Sequence, residues 1–303
     1  MTGQGTIFDT HAHVLSADLA AYPYSTLRGG ARPPVASAVF PVERLLEEMD
    51  REGVARACLV QRATLYGYDN SYLLAAAASA PERFAPVVVL DAQDPASPGQ
   101  LDRLLGEHPV AGLRLVAPTL SEHDVDWLAS PPALALWRAA EAHGLPVAVI
   151  LYRRNNQAGR TALLQVARQI RGVPIVLDHC ALPHPSTPEK TFAASEGIDY
   201  AIEPPPGFGI DDAIGEFADL PHVHFKVTDI NFDRLEEAGF DTAQFVRALA
   251  DRFGAARLVW GSDVGQSPAP YAEKIARLRH AASALTAEER AAFIGGNAAR
   301  LYG

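Results

Sequence analysis

Apolar residues gather in eight short runs along the chain, at 6–10, 56–61, 84–90, 110–116, 146–152, 174–178, 223–228 and 257–261. Runs of this length, bounded by polar or small residues, predict strands with both faces covered. Between them the apolar positions change to helical spacing. In Pro41-Val42-Glu43-Arg44-Leu45-Leu46-Glu47-Glu48-Met49 a proline stands early, where a helix does not miss its N–H. Comparable stretches cover about 69–80, 98–107, 131–143, 160–171, 211–219 and 241–253, and two more close the chain at 269–284 and 287–302. Eight strand-then-helix repeats without a polar linker predict an α/β fold, a (β/α)8 TIM barrel occupying 1–303 as a single domain. Two long insertions, 15–40 with Tyr22, Tyr24, Arg28 and Pro33-Pro34, and 180–210 with Pro204-Pro205-Pro206, are expected to overhang the barrel mouth.

Composition narrows the function classes. With 303 residues, 48% of them hydrophobic, a large core is within reach. A formal net charge of −10 and the lack of any Lys/Arg run argue against nucleic acid and anionic membranes as partners. An anionic small molecule stays compatible if arginines cluster locally. Neither a signal peptide nor a spanning segment is visible, so a soluble cytoplasmic protein is expected. The chain is compatible with a homo-oligomer. Cys58 and Cys180 are too few for a disulfide framework and sit in or beside apolar strands, as buried thiols do.

The candidate chemistry lies where strands end. His11 and His13, in Asp9-Thr10-His11-Ala12-His13, are two residues apart and aim at one face of a strand. His179 follows the sixth run and Asp263 the eighth. In a barrel the carboxyl ends of the strands share one rim, so these four side chains are expected to converge there. A His-x-His pair alone also fits two histidines merely hydrogen-bonded near a strand end. Lys226, on the seventh run, faces either the interior, where it would pair with Asp263 or Asp178, or the helices. His108, His123, His143, His184, His222 and His280 read as surface residues.

At this point the chain resembles the amidohydrolase superfamily, specifically its amidohydrolase-related (family 2) group. The resemblance rests on Asp9-Thr10-His11-Ala12-His13, Leu177-Asp178-His179, Trp260-Gly261-Ser262-Asp263 and the closing Gly296-Asn297-Ala298-Ala299-Arg300-Leu301-Tyr302. Metal-dependent members add a histidine at the end of strand five and, in binuclear cases, a lysine or carboxylate at strand four. Here those positions hold Tyr152 and Arg114. A guanidinium has no lone pair to give, which argues against a binuclear site. The same departure argues against the zinc decarboxylases of the group. Closer similarity is to the branch of 2-pyrone-4,6-dicarboxylate lactonase and the sugar-acid lactonases, carried by Arg114, Tyr152 and the segment Leu59-Val60-Gln61-Arg62-Ala63-Thr64-Leu65-Tyr66-Gly67-Tyr68-Asp69-Asn70. A second arginine of the pyrone enzyme is replaced within Ala117-Pro118-Thr119-Leu120, which leaves the identity of the substrate open even where the chemistry is shared.

The resemblance implies a lactone hydrolase that needs no cofactor. Asp263 takes the proton from water, and His11, His13 and His179 polarise the carbonyl. Arg114, Tyr152, Gln61, Tyr66 and Asn70 bind the substrate, with Arg114 gripping a carboxylate in bidentate fashion; a structural ion pair is its other reading. The rival readings are a mononuclear zinc amidohydrolase or related decarboxylase, with His11, His13, His179 and Asp263 around the metal, and a binding protein that kept the barrel but not turnover.

Overall fold

The computed structural model describes residues 6–25, 27, 39–118, 124–151, 156–181 and 203–303. Its strands are β1 (Ile7–Ala12), β2 (Val54–Val60), β3 (Phe84–Val89), β4 (Gly112–Val116), β5 (Val147–Ile150), β6 (Ile175–Leu177), β7 (Val223–Thr228) and β8 (Leu258–Gly261). They pair in parallel and in chain order in one eight-stranded sheet, with helices on its outside. This is the (β/α)8 barrel that the alternation predicts.

Side-chain alternation divides the sheet into two apolar faces. Leu59, Val88, Leu113, Val149, Leu177, Phe225 and Trp260 pack outward into the layer of helices. Phe8, Cys58, Val60, Val87, Ala148, Val176 and Val259 fill the interior, as period-two packing on a closed sheet requires. The last helix, Asn297–Tyr302, sets Ala298 and Tyr302 against this inner cluster. Tyr302 lies where a side chain on Gly112, the first residue of β4, would crowd it at 3.3 Å, so the amino-terminal end of the barrel is filled. The rim at the other end is left for chemistry.

Closure between β8 and β1 relies on side chains as much as on the ladder. One parallel bridge joins Ala12 and Val264, with Asp263 N–H donating to the His11 carbonyl at 2.8 Å and His13 N–H to the Val264 carbonyl at 2.9 Å. Below it the Asp9 carboxylate accepts from Ser262 N–H (2.9 Å), Ser262 Oγ (2.5 Å), His11 N–H (3.0 Å) and Tyr271 Oη (3.0 Å). Thr10 Oγ1 donates to the Trp260 carbonyl at 2.7 Å. Gly261 is required at this seam, because a Cβ there would collide with the His11 side chain. Buried backbone that the ladder leaves unpaired is thus satisfied by Asp9 and Thr10.

The first insertion is described as far as Ser25. It bridges back through Leu15 and Phe40, and its rings lie on the loop after β2, with Tyr24 5.3 Å from Tyr66 and Tyr22 4.9 Å from Tyr72 between centroids. Arg28 and Pro33-Pro34 lie outside the described residues, as do 182–202 of the second insertion. Among the described residues no helix is long and apolar enough to cross a membrane.

Candidate active site

Two strand ends deliver the central cluster. His11 belongs to β1, His13 lies one residue beyond it, and Asp263 stands two residues past β8 in the left-handed backbone region, at φ 53°. All three are buried. The His11 and His13 rings meet edge to face with centroids 4.9 Å apart. Asp263 Oδ1 lies 3.4 Å from His11 Nε2 and 3.3 Å from His13 Nε2. Among the described residues no hydrogen-bond partner satisfies His11 Nε2, His13 Nε2 or either oxygen of Asp263. Buried polar atoms without partners cost free energy, so their concentration at one point marks a place where a ligand completes the bonding.

The remaining ring nitrogens fix the hydrogens. His13 Nδ1 lies 2.7 Å from the Val60 carbonyl, which only accepts; the neutral ring therefore carries hydrogen on Nδ1 and a lone pair on Nε2. His11 Nδ1 faces the Lys226 ammonium at 3.3 Å, which only donates, so its hydrogen resides on Nε2 and points at Asp263. A carboxylate oxygen and the His13 lone pair consequently oppose each other at 3.3 Å. Only a proton, a donor or a cation between them makes that arrangement favourable.

Beneath His11 a second carboxylate sits between cations. Asp178 accepts a hydrogen bond from Arg114 Nε at 2.8 Å and forms an ion pair with Lys226 Nζ at 2.9 Å, with His11 Nδ1 at 3.7 Å. Lys226 has no solvent exposure, so of the two orientations open to it the inward one holds, with Asp178 as partner. Burial pushes the Asp178 carboxyl up, but Lys226, Arg114 and His11 together hold it well below the usual carboxylate range. Burial and the Lys226 charge push His11 well below the ordinary imidazole value against the pull of Asp178, which keeps the ring neutral. For Asp263 burial raises the pKa, while the His13 contact and the three surrounding imidazoles lower it further, leaving it ionised well below the usual range.

His179 completes the rim from β6. It opens a run of three non-glycine residues, His179, Cys180 and Ala181, with φ of 53°, 57° and 50°. Such backbone costs of order 1–3 kcal/mol per residue and gathers at functional sites. Its Nδ1 lies 2.7 Å from Thr228 Oγ1, and its carbonyl accepts from Asn231 Nδ2 at 3.0 Å. The His179 ring is 5.3 Å from that of His11. Burial pushes the thiols of Cys58 and Cys180 up, so both stay protonated.

The side chains expected to bind substrate are placed differently from one another. Arg114 is buried and its Nε is taken by Asp178, the structural ion pair named as its other reading. Gln61 Nε2 donates to the Asp69 carbonyl, and Tyr66 Oη accepts from Ser16 N–H at 2.9 Å. Asn70 donates to the carbonyls of Tyr68 and Val89 and accepts from Val89 N–H. These three amide and hydroxyl groups pin loops to the barrel. Tyr152 lies outside the described residues. His143 and His280 are surface residues paired with Asp102 and Asp241, while His123 and His184 fall outside the described residues.

Arg62, Thr228 and Asn231 are neighbours of the site that received no role from the sequence. Arg62 Nη1 donates to the Gly265 carbonyl at 2.7 Å, tying the end of β2 to the loop that carries Asp263. Gly265 itself needs its φ of 83°, and a Cβ there would strike the His13 carbonyl. The pairing Thr228-x-x-Asn231 is a capping box and was visible as such only once a helix is known to follow β7.

His11, His13 and Asp263 offer ligand atoms within 4.8 Å of one another, a set that could bind a metal ion. Two imidazoles and a carboxylate suit a borderline cation such as zinc. The fit asks one adjustment, transfer of the His11 hydrogen to Nδ1, where Asp178 can accept it. His179 stands beside this set.

The profile of the family described as amidohydrolase matches residues 8–303. The chain belongs to the amidohydrolase family. Among its relatives, L-fucono-1,5-lactonase of Burkholderia ambifaria is 29% identical over 218 residues, 70% of this chain and 66% of that protein, just under two thirds of its length. A putative 2-pyrone-4,6-dicarboxylic acid hydrolase from Pseudomonas putida superimposes with a TM-score of 0.69 at 24% identity, covering 99% of this chain and 98% of that one. An amidohydrolase from Burkholderia multivorans with bound zinc does so with a TM-score of 0.66 at 23% identity, covering 98% and 99%. At these identities the structural likeness is one of fold.

Proposed function

We propose that this protein opens the ring of a small-molecule lactone by adding water, with Asp263 as general base and His11, His13 and His179 around the carbonyl. The observation that carries the reading is the convergence of unpartnered His11 Nε2, His13 Nε2 and Asp263 carboxylate at the barrel rim. The lactonase name of the Burkholderia ambifaria relative supports the same chemistry.

In this mechanism Asp263 accepts a proton as the water oxygen bonds to the lactone carbonyl carbon. The carbonyl electrons move onto oxygen, which His11 Nε2–H is placed to receive as a donor, joined by His13 and His179 when protonated. Collapse of the tetrahedral species breaks the ring C–O bond, and Asp263 returns its proton to the leaving oxygen, giving a hydroxy acid. A carboxylate with so low a pKa is always in the basic form but is a weak base, so much of the barrier has to be removed at the carbonyl. A divalent cation, if held by His11, His13 and Asp263 in place of the His11 Nε2 hydrogen, would supply Lewis-acid polarisation there instead. If the substrate carries a carboxylate, Arg114 meets it with the nitrogens that Asp178 does not use, together with Tyr152. Gln61, Tyr66 and Asn70 act by holding the wall of the site.

Acid release measured over a panel of neutral sugar 1,5-lactones and carboxylated lactones, before and after chelation, tests this. Turnover of at least one lactone is expected. A panel that raises the melting temperature without releasing acid would instead establish a binding protein on the same barrel.

A further inference from the structure

We infer that the short segment Thr228–Asn231, which runs from the last residue of β7 into the next helix, positions both flanks of the site, acting on His179 through Thr228 and Asn231 and on Asp263 through Asp229, Lys274 and Ser267. The inference rests on the reading of Asp263 as base. On one flank the chain of contacts is short. Asn231 Oδ1 accepts from Thr228 N–H at 2.9 Å and from Thr228 Oγ1 at 3.3 Å, which leaves the Thr228 oxygen to accept from His179 Nδ1 at 2.7 Å. Asn231 Nδ2 holds the His179 carbonyl at 3.0 Å, where the backbone has turned left-handed.

On the other flank the connection is buried and ionic. Asp229 Oδ2 accepts from Lys274 Nζ at 2.8 Å, and neither residue has solvent exposure. Lys274 Nζ also donates to Ser267 Oγ. The Asp263 carbonyl in turn accepts from Ser267 Oγ at 3.1 Å and from Ser267 N–H at 3.0 Å. Asp263 is itself in the left-handed region, so its carboxylate points at the imidazoles only while that turn is held. Thr228, Asp229 and Asn231 thus orient the His179 imidazole on one side and the Asp263 carboxylate on the other.

A purely structural role for Lys274 would be to tie the helix Asp229–Glu237 to the helix Tyr271–Ala281. Arg277 already does that, bonding Asp229 (3.1 Å), Asp233 (2.8 Å) and Glu236 (2.9 Å). What Lys274 alone adds is the hydroxyl beneath Asp263. A buried ion pair gives little net stability compared with apolar packing, so its use here is better explained by the geometry it specifies.

The test compares Ser267→Ala, Ser267→Thr, Lys274→Met, Asn231→Ala and Arg277→Ala in the full chain. Ser267→Ala is expected to lower kcat roughly 10- to 100-fold with KM within about twofold, because small misplacements of a reacting group carry penalties of this order; Ser267→Thr restores most of it. Imidazole ¹⁵N spectra give a readout free of turnover. Ser267→Ala and Lys274→Met shift the His11 and His13 signals, Asn231→Ala shifts His179, and Arg277→Ala shifts none of them. Unmoved His11 and His13 signals in folded Ser267→Ala overturn the inference, as does an unaltered kcat. Should the parent protein hydrolyse no lactone, the reading of the reaction fails, and the spectra still decide the positioning.

Discussion

Two buried carboxylates flank His11, and they are in opposite conditions. Asp178, on its Nδ1 side, is ion-paired with the permanent cations Lys226 and Arg114; Asp263, on its Nε2 side, has among the described residues only imidazoles in ion-pair range and no hydrogen-bond partner on either oxygen. Both lie just past strand ends of one barrel and both are shielded from water. The difference teaches that burial of an acid at the rim does not by itself mark chemistry. A carboxylate whose lone pairs are filled by fixed cations is part of the scaffold, whereas one left facing imidazole nitrogens is poised for a proton or a ligand. The comparison breaks most directly at Asp263. Asp263→Asn is expected to cost about 10³-fold in kcat, the range for loss of a positioned general base, while its urea midpoint falls less than that of a variant that unpairs Asp178. Full activity with the amide would remove Asp263 from the role of base.

Across His11 the expectation reverses. Lys226→Met leaves Asp178 with Arg114 alone and a buried charge in part uncompensated, which predicts a stability loss of about 3–5 kcal/mol. Urea denaturation followed by circular dichroism measures it. A Lys226→Met protein as stable as the parent would show that Arg114 suffices for Asp178, and the division into scaffold and reactive acid would lose half its support.

Much of this contrast was out of reach of the sequence, although its frame was not. Each apolar run became a strand within a few residues of its expected bounds, because parallel strands covered on both faces are continuous in hydrophobicity. The rim positions of His11, His13, His179 and Asp263 followed from barrel topology alone. That same continuity hides orientation. In β7 the inward His224, Lys226 and Thr228 alternate with the outward Val223, Phe225 and Val227, yet with both faces buried nothing in the pattern says which face is the interior. The helix Asp229–Glu237 went unread, since its Asp-Ile-Asn-Phe-Asp opening looks like a loop. Lys274 did leave a signal. It falls on the face of Tyr271, Ile275 and Leu278, the core side of its helix, where a lysine needs a buried partner. The partner, Asp229, is supplied by another strand end, a contact that only the fold reveals.

The smallest effect expected concerns pH, and it separates the two acids from the imidazoles as the titrating base. Asp263 must be ionised to accept a proton, and its pKa in the folded protein is lowered, so the active form persists as pH falls from 7 through 5. His11 is also pushed down, by burial and the Lys226 charge, so its ring stays neutral further into acid than an ordinary imidazole does. For stability the sign is the same. A carboxyl depressed on folding contributes stability that is complete above its unfolded value of about 4 and is lost as pH drops below it; Asp178 and Asp263 both contribute in this sense. The kcat/KM profile should therefore show at most a minor decline between pH 7 and 5 and fail only with acid unfolding, tracked by circular dichroism on the same samples. An acid limb near pH 6.5 in fully folded protein would mean that an imidazole, and not the unpartnered carboxylate, takes the proton from water.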